Sequence, residues 1–262
     1  MSHILVTGGA GGLGRELTPR LQKAGHTVRV MSRRPRPDNL SSDLEWAQAD
    51  LETGAGLGSA VSGVEMIIHA ATSPVKRTRQ IDVAGARRLL EAARTAGVAH
   101  FIHVSIVGIE RIPFPYYEAK AAGEAVVRAG GVPYTILRAT QFHSLLDGFF
   151  QPLRNLPISL AFTDFKYQPI DTGEVADRLR QLVDEKPSGL LPDLGGPEVL
   201  TVGEMLPVWF AAQGRRCKLI RFPLPGGFAH AFRNGYNTCP DHHDGKITWA
   251  EWANRKSSSL TQ

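Results

Sequence analysis

His3-Ile4-Leu5-Val6-Thr7-Gly8-Gly9-Ala10-Gly11-Gly12-Leu13-Gly14 decides the fold. A short apolar run ends in glycines, and Leu13, Leu17 and Leu21 then recur at helical spacing up to Ala24, so the segment reads as strand, tight turn and helix. The glycines fall as GxxGxxG. Gly8 permits the turn, Gly11 lets backbone approach a pyrophosphate without a Cβ in the way, and Gly14 lets the helix pack closely on the strand. The helix N-terminus then faces the phosphates with exposed N–H groups and the positive end of its dipole. A nucleoside triphosphate loop would need Gly-Lys-Ser/Thr, and Gly14 is followed by Arg15 and Glu16.

Working outward, Gly25 closes the helix and residues 26–32 give a second strand. Residues 44–48 read as a weaker third strand, 54–62 as a helix, 64–70 as a buried strand, and 81–97 as a helix closed by Gly97. Residues 100–105 form another strand, 116–130 an Ala-rich helix and 133–139 a strand. This alternation predicts a Rossmann-type, doubly wound parallel α/β sheet. Regularity stops near Ala139. Beyond it helices are expected over 173–184 and 203–213, with a strand through 218–222, so the division expected is a dinucleotide-binding domain over 1–150 and a small C-terminal α/β substrate lobe over 151–262, some of whose elements rejoin the sheet. The tail from Lys256 to Gln262 reads as disordered.

The cofactor is chosen at the end of the second strand. An acidic residue there would bind ribose hydroxyls, whereas Ser32, Arg33 and Arg34 suit a 2′-phosphate, so NADP(H) is favoured over NAD(H). The chain has 262 residues, 42% of them hydrophobic and 21% charged, which excludes dominant disorder. It carries 30 Lys and Arg against 25 Asp and Glu, but these are scattered, so no nucleic-acid partner is expected. No run of about 18 apolar residues occurs, and the start has no basic region with a cleavage site; a soluble protein with no membrane partner is expected. Two cysteines, Cys217 and Cys239, make no disulfide framework and suit the cytoplasm.

With these residues in place, the sequence resembles the short-chain dehydrogenase/reductase superfamily, in its atypical, NmrA-like branch. The resemblance rests on TGGAGGLG, Ala49-Asp50-Leu51, HAAT at 69–72, VSIVG at 104–108, PYYEAK at 115–120, PYTILRATQFH and YQPIDTGEVA. It implies an oxidoreductase that moves hydride to or from a small, apolar carbonyl, enone, quinone or imine compound. Ser105, Tyr116 and Lys120 would be the catalytic trio. Gly8, Gly11, Gly12, Leu13, Gly14, Ser32, Arg33, Arg34, Asp50, Leu51, Ala70, Ala71, Thr72 and Lys120 would hold the cofactor, with Asp50 and Leu51 at the adenine. Gln141, Phe142 and His143 would line the substrate cleft. The chemistry agrees with the implied trio: a carbonyl accepting hydride needs a proton donor, and a tyrosine four residues before a lysine on one helix face has a lowered pKa. The same branch also holds redox sensors that bind NAD(P)H without turnover. A monomer or homodimer is expected.

Other constellations are bland. Asp244-Gly245-Lys246-Ile247-Thr248 with Glu251 resembles half of a calcium loop, but Pro240 and His242 would stand at the first and third ligand positions. Cys239, His242 and His243 lack a fourth ligand, so no metal is expected. Phe149, Phe150, Phe162 and Phe165 are candidates for an apolar wall or for core.

Overall fold

The computed structural model describes residues 1–38, 41 and 43–259. In chain order the elements are β1 (His3–Thr7), α1 (Gly12–Lys23), β2 (Thr27–Ser32), β3 (Glu45–Gln48), α2 (Leu57–Val61) and β4 (Met66–His69). A π-helical segment (Arg79–Gly85) runs into α3 (Ala86–Thr95), followed by β5 (His100–Ile106), α4 (Pro115–Ala129), β6 (Tyr134–Ala139) and α5 (His143–Phe150). The rest comprises β7 (Ile158–Ala161), β8 (Lys166–Tyr167), α6 (Thr172–Val183), β9 (Gly189–Leu190), β10 (Leu200–Thr201), α7 (Val202–Ala212), β11 (Lys218–Arg221), α8 (Gly227–Arg233) and α9 (Trp249–Ser259).

The main sheet has the order β3-β2-β1-β4-β5-β6-β9. Its registers are parallel, with Leu5 opposite both Arg29 and Ile67, and Ile68 opposite Ile102. Both faces of the central strands are covered, which is why β1 reads Ile-Leu-Val without alternation and all three side chains are buried. Leu5, Ile67, Phe101 and Ile136 from four strands pack with Leu89, Leu90, Ala93 and Val127 from α3 and α4. This is the expected doubly wound α/β fold. The strand order reverses between β1 and β4, the place at whose carboxyl ends open α/β sheets bind their ligands.

The chain forms two compact units that interleave in sequence. Unit 1 holds residues 1–105, 118–137 and 175–192; unit 2 holds 106–117, 138–174 and 193–262. A single cut at 150 does not describe this division. The last part of the first unit returns from beyond the expected boundary: Val175, Ala176, Leu179, Leu182 and Val183 of α6 are buried, and β9 extends the sheet beside β6.

In unit 2, β8 and β10 pair antiparallel and β7 and β11 pair parallel. Its core joins α5, α7 and α9, where Trp249 is fully buried and donates its indole N–H to the Met205 carbonyl. Helix α9 continues through Ser259. The expected disorder from Lys256 is therefore corrected for 256–259, and residues 260–262 lie outside the described set.

Candidate active site

The glycine turn has the geometry that its residue types allow. Gly8 has φ +71°, and a Cβ there would stand 2.9 Å from the Ala70 carbonyl carbon and the Ala71 nitrogen. The loops after β1 and β4 thus touch through backbone. A Cβ on Gly14 would lie 2.3 Å from Gly9 Cα, so α1 seats on the turn only with glycine at that position. Gly11 meets only the Gly8 oxygen, at 3.1 Å, and Gly12 faces open space. Helix α1 begins with no side-chain cap and no acidic residue in its first turn, so its positive end is left unneutralised. Leu13 is buried and offers a ligand only backbone.

After β2 the backbone is pinned while the charges are exposed. Ser32 Oγ accepts the Arg34 N–H at 3.1 Å, Trp46 donates to the Arg34 carbonyl at 3.0 Å and Gln48 to the Arg33 carbonyl at 3.3 Å. Both arginines are exposed, and neither guanidinium has an acidic partner among the described residues. Asp50 Oδ1 accepts the Glu52 N–H at 2.8 Å, and Leu51 beside it is buried. The Ala70 and Ala71 amides donate to the Thr7 carbonyl and Thr7 Oγ1, at 3.3 and 3.2 Å. What these two alanines offer a ligand is therefore carbonyl oxygen and surface. An open turn and an unneutralised helix end, with two exposed arginines after β2, fit a dinucleotide.

Lys120 is buried, and this geometry has a sequence cause. A Cβ on Gly123 would lie 2.6 Å from the Asp82 carbonyl oxygen, so a glycine one turn beyond Lys120 lets α4 approach the π-helical segment. Lys120 Nζ then donates to the Val104 carbonyl at 2.8 Å and stands 3.6 Å from Asp82 Oδ1. Asp82 also accepts the Thr72 hydroxyl at 2.7 Å and the Ser73 N–H at 3.2 Å. Burial lowers the Lys120 pKa below the ordinary lysine value, and the carboxylates of Asp82 and Glu124 oppose that shift.

Beside this pair lie two stacked imidazoles, His69 and His103, with ring centroids 5.4 Å apart. His69 Nδ1 meets Thr7 Oγ1 at 2.7 Å. Burial, and then the Lys120 charge, pushes His69 down to about 3 and His103 well below the ordinary value, so both rings are neutral. Ser105 is buried and its hydroxyl has no partner among the described residues. A buried hydroxyl left unpaired costs stability, which makes Ser105 Oγ available to a ligand oxygen.

Tyr116 and Tyr117 open α4 within unit 2. Tyr116 is half-buried, with its ring edge-on to Tyr117 at 6.0 Å. Tyr117 is buried against Phe232, and burial raises its pKa, so it is unsuited to proton donation. Gln141 Nε2 donates to the Asn237 carbonyl at 2.8 Å and Oε1 accepts the Gln168 N–H at 3.3 Å; it is a structural bridge. Phe142 is half-buried and bridges to Ile170. His143, expected at the substrate cleft, is instead fully buried against the indoles of Trp249 and Trp252, with centroids 5.8 and 5.5 Å away. Burial lowers its pKa to about 4.

Sequence reasoning missed Asp82, Thr7, His69 and His103. The signal for Asp82 was present: it is the one carboxylate on the stripe Asp82, Ala86, Leu89, Leu90 and Ala93, otherwise apolar. The calcium-like segment has other work, since Asp244 accepts the Gly195 N–H and Glu251 caps α9 by accepting from Thr248. No group of metal-ligating side chains occurs among the described residues.

The family described as NAD(P)H-binding matches residues 8–185. The chain is 28% identical over 232 residues to a photosystem II assembly factor of Trieres chinensis, covering 84% of this chain and 72% of that protein. It is 30% identical over 249 residues to divinyl chlorophyllide a 8-vinyl-reductase of Oryza sativa subsp. indica, covering 84% of this chain but 61% of that enzyme. Among solved structures, a short-chain dehydrogenase/reductase superfamily protein from Agrobacterium tumefaciens with bound NAD superposes with TM-score 0.74 at 23% identity, over 99% of this chain and 97% of that one. UDP-glucose 4-epimerase of Thermus thermophilus, complexed with NAD, gives TM-score 0.76 at 19% identity over 99% of both chains; at these identities the likeness is one of fold. The family match covers more than half of the sequence and includes the whole glycine cradle, so the chain belongs to the family described as NAD(P)H-binding, with the fold of short-chain dehydrogenases/reductases.

Proposed function

We propose that the chain is an NADP(H)-dependent oxidoreductase acting on a small apolar compound with a carbonyl, enone, quinone or imine group. The observation that carries this reading is the buried Lys120 ammonium, held by Asp82 and the Val104 carbonyl one helical turn after Tyr116. The backbone of Gly11, Gly12, Leu13 and Gly14 would hold the pyrophosphate, Ser32, Arg33 and Arg34 the 2′-phosphate, Asp50 and Leu51 the adenine, and Ala70, Ala71 and Thr72 the adenosine side. When bound, the nicotinamide supplies or accepts the hydride.

The remaining steps belong to this chain's side chains. Tyr116 donates a proton to the substrate oxygen as negative charge develops there. Lys120 lowers the cost of the resulting phenolate and orients the nicotinamide ribose, and Asp82 keeps the ammonium charged against burial. Ser105 donates its otherwise unpartnered hydroxyl to the reacting oxygen. An apolar substrate is supported by the aromatic series that starts at Tyr116. It passes through Tyr117, Phe232, Phe228 and Phe165 to Phe162, with neighbouring ring centroids 4.8 to 6.2 Å apart. A cytoplasmic location belongs to the same reading: both cysteines are free, and burial pushes the Cys239 thiol up to about 12, so that it stays protonated.

A second reading, a redox sensor that binds NAD(P)H without turnover, is favoured by the relative described as an assembly factor. The test is NADPH oxidation by the purified protein against aldehydes, ketones, quinones and enones, with Tyr116→Phe in parallel. Turnover should fall by about a hundredfold or more in the variant while NADPH affinity is retained. Tight NADPH binding with no compound reduced would favour the sensor. In the same preparation, Arg33→Asp should weaken NADPH about tenfold more than NADH; equal losses would remove the 2′-phosphate contact.

A further inference from the structure

Unit 2 presents an apolar sheet face with basic flanks that the proposed chemistry does not use. In the parallel pair β7 and β11, Leu160 stands opposite Ile220 and Ile158 opposite Lys218. Alternation therefore puts Ile158, Leu160, Lys218 and Ile220 on one face, with Phe222 following at the same spacing. Leu156, Ile158, Leu160, Ile220 and Phe222 are 42% to 61% exposed. Isolated exposed apolar residues need no explanation, but Ile158, Leu160 and Ile220 share one two-stranded face, with Leu156 and Phe222 next to its strands. The face joins the interior at one end: the Phe222 ring meets Phe162 at 5.7 Å, and Phe162 stacks on buried Phe165 at 5.0 Å.

The charge of the two segments that carry this face is basic, and Asp164 just beyond them is engaged by Arg221 and Arg233. Residues 149–162 and 214–227 contain Arg154, Arg215, Arg216, Lys218 and Arg221 and no acidic residue. Arg221 is paired with Asp164 at 2.9 Å. Arg215 meets the neutral Asn155 at 2.8 Å and keeps its charge. Arg154, Arg215, Arg216 and Lys218 are all exposed. Apolar side chains flanked by cations are the composition that settles at the headgroup boundary of an anionic bilayer. A second copy in two-fold contact would set the same cations against one another.

We propose that the β7–β11 face of unit 2 docks on the surface of an anionic lipid bilayer. No described helix is long and apolar enough to cross a membrane, and the expected lack of a membrane partner rested on the absence of a spanning run. Peripheral docking needs no such run, and it is independent of whether the protein turns over a substrate.

The experiment is co-sedimentation of the full chain with vesicles of phosphatidylcholine alone and of phosphatidylcholine mixed with phosphatidylglycerol. The protein should bind the anionic vesicles and leave the neutral ones, with binding lost as salt is raised. The pair Leu160→Ser and Ile220→Ser, and separately Arg216→Glu with Lys218→Glu, should each cut partitioning by about tenfold or more. Hydrogen exchange of the unaltered protein should slow at residues 156–161 and 218–222 when anionic vesicles are added, a readout that needs no variant. Failure to bind, equal binding to both vesicles, or binding that ignores Leu160 and Ile220 and reflects net charge alone would each overturn the proposal. So would a dimer in light scattering that the same serine variants dissociate, or binding to an acidic protein in place of vesicles.

Discussion

Asp82 is the residue on which the polar cluster of unit 1 turns. Its carboxylate stands 3.6 Å from the Lys120 amine, and it also serves Thr72 and Ser73. Asp82→Asn keeps the shape and removes the charge. A buried ammonium without its counter-ion is costly, so the variant should lose about 3 kcal/mol in urea unfolding at neutral pH, and any Tyr116-dependent turnover should shift its pH profile. A loss below about 1 kcal/mol would mean that Lys120 does not rely on Asp82. The glycines, the arginines after β2 and the Tyr-Lys spacing were legible in the sequence because each is a local pattern. Asp82 was not read, because its importance depends on Gly123 admitting α4 from about forty residues away. His143 misled for the complementary reason: its place after β6 suggested a cleft, and the indoles it packs against come from the far end of the chain.

At the scale of elements, one carboxylate ties three helices of unit 2. Asp147 of α5 accepts from Trp209 of α7 at 2.8 Å and from Lys256 of α9, and Gln151 adds a further hydrogen bond. Burial acts to raise its pKa, and the bonds from Lys256, Trp209 and Gln151 outweigh it, holding the carboxyl below its ordinary value. A group depressed in the folded state contributes stability that is complete above its unfolded pKa and is lost as pH falls through the folded value. Asp147→Asn should therefore cost about 2 kcal/mol at neutral pH, with the gap to the unaltered protein closing as pH drops below the ordinary carboxylate range. Chemical denaturation across that range is the measurement, and a pH-independent gap would refute the linkage. The elements up to β6 were legible because their periodicity is long and regular. Helix α5 was not, since it starts straight after a strand with no side-chain cap. The two-residue strands β8, β9 and β10 are too short to show alternation. Thr248 and Glu251 form the cap of α9, a pattern also shared by the end of a calcium loop, and only the neighbouring Pro240 and His242 argued against the metal.

For the whole molecule, the consequential feature is that the chain crosses between its units five times. Composition and alternation predicted a sheet domain followed by a lobe, some of whose elements rejoin the sheet, without saying which, because a sequence is read in order. Helix α6 and strand β9 are such a return. Within unit 1, Asp177 of α6 accepts from Arg20 of α1 at 2.8 Å, and Ser188 N donates to Thr135 Oγ1 of β6 at 3.1 Å. A fragment ending at Phe150 keeps every residue proposed to hold the cofactor but lacks α6 and β9. Losing the burial of Val175, Leu179 and Leu182 alone forfeits several kcal/mol, about 1.5 to 3 for each side chain, which is comparable to the whole stability of a domain. The fragment 1–150 should therefore show no cooperative thermal transition and no NADPH-dependent rise in melting temperature, while the full chain shows both, because a ligand that binds only the native state stabilises it by mass action. Circular dichroism melts with and without NADPH decide the matter. A fragment that melts cooperatively and binds NADPH would show that the sheet unit folds without its returning segment.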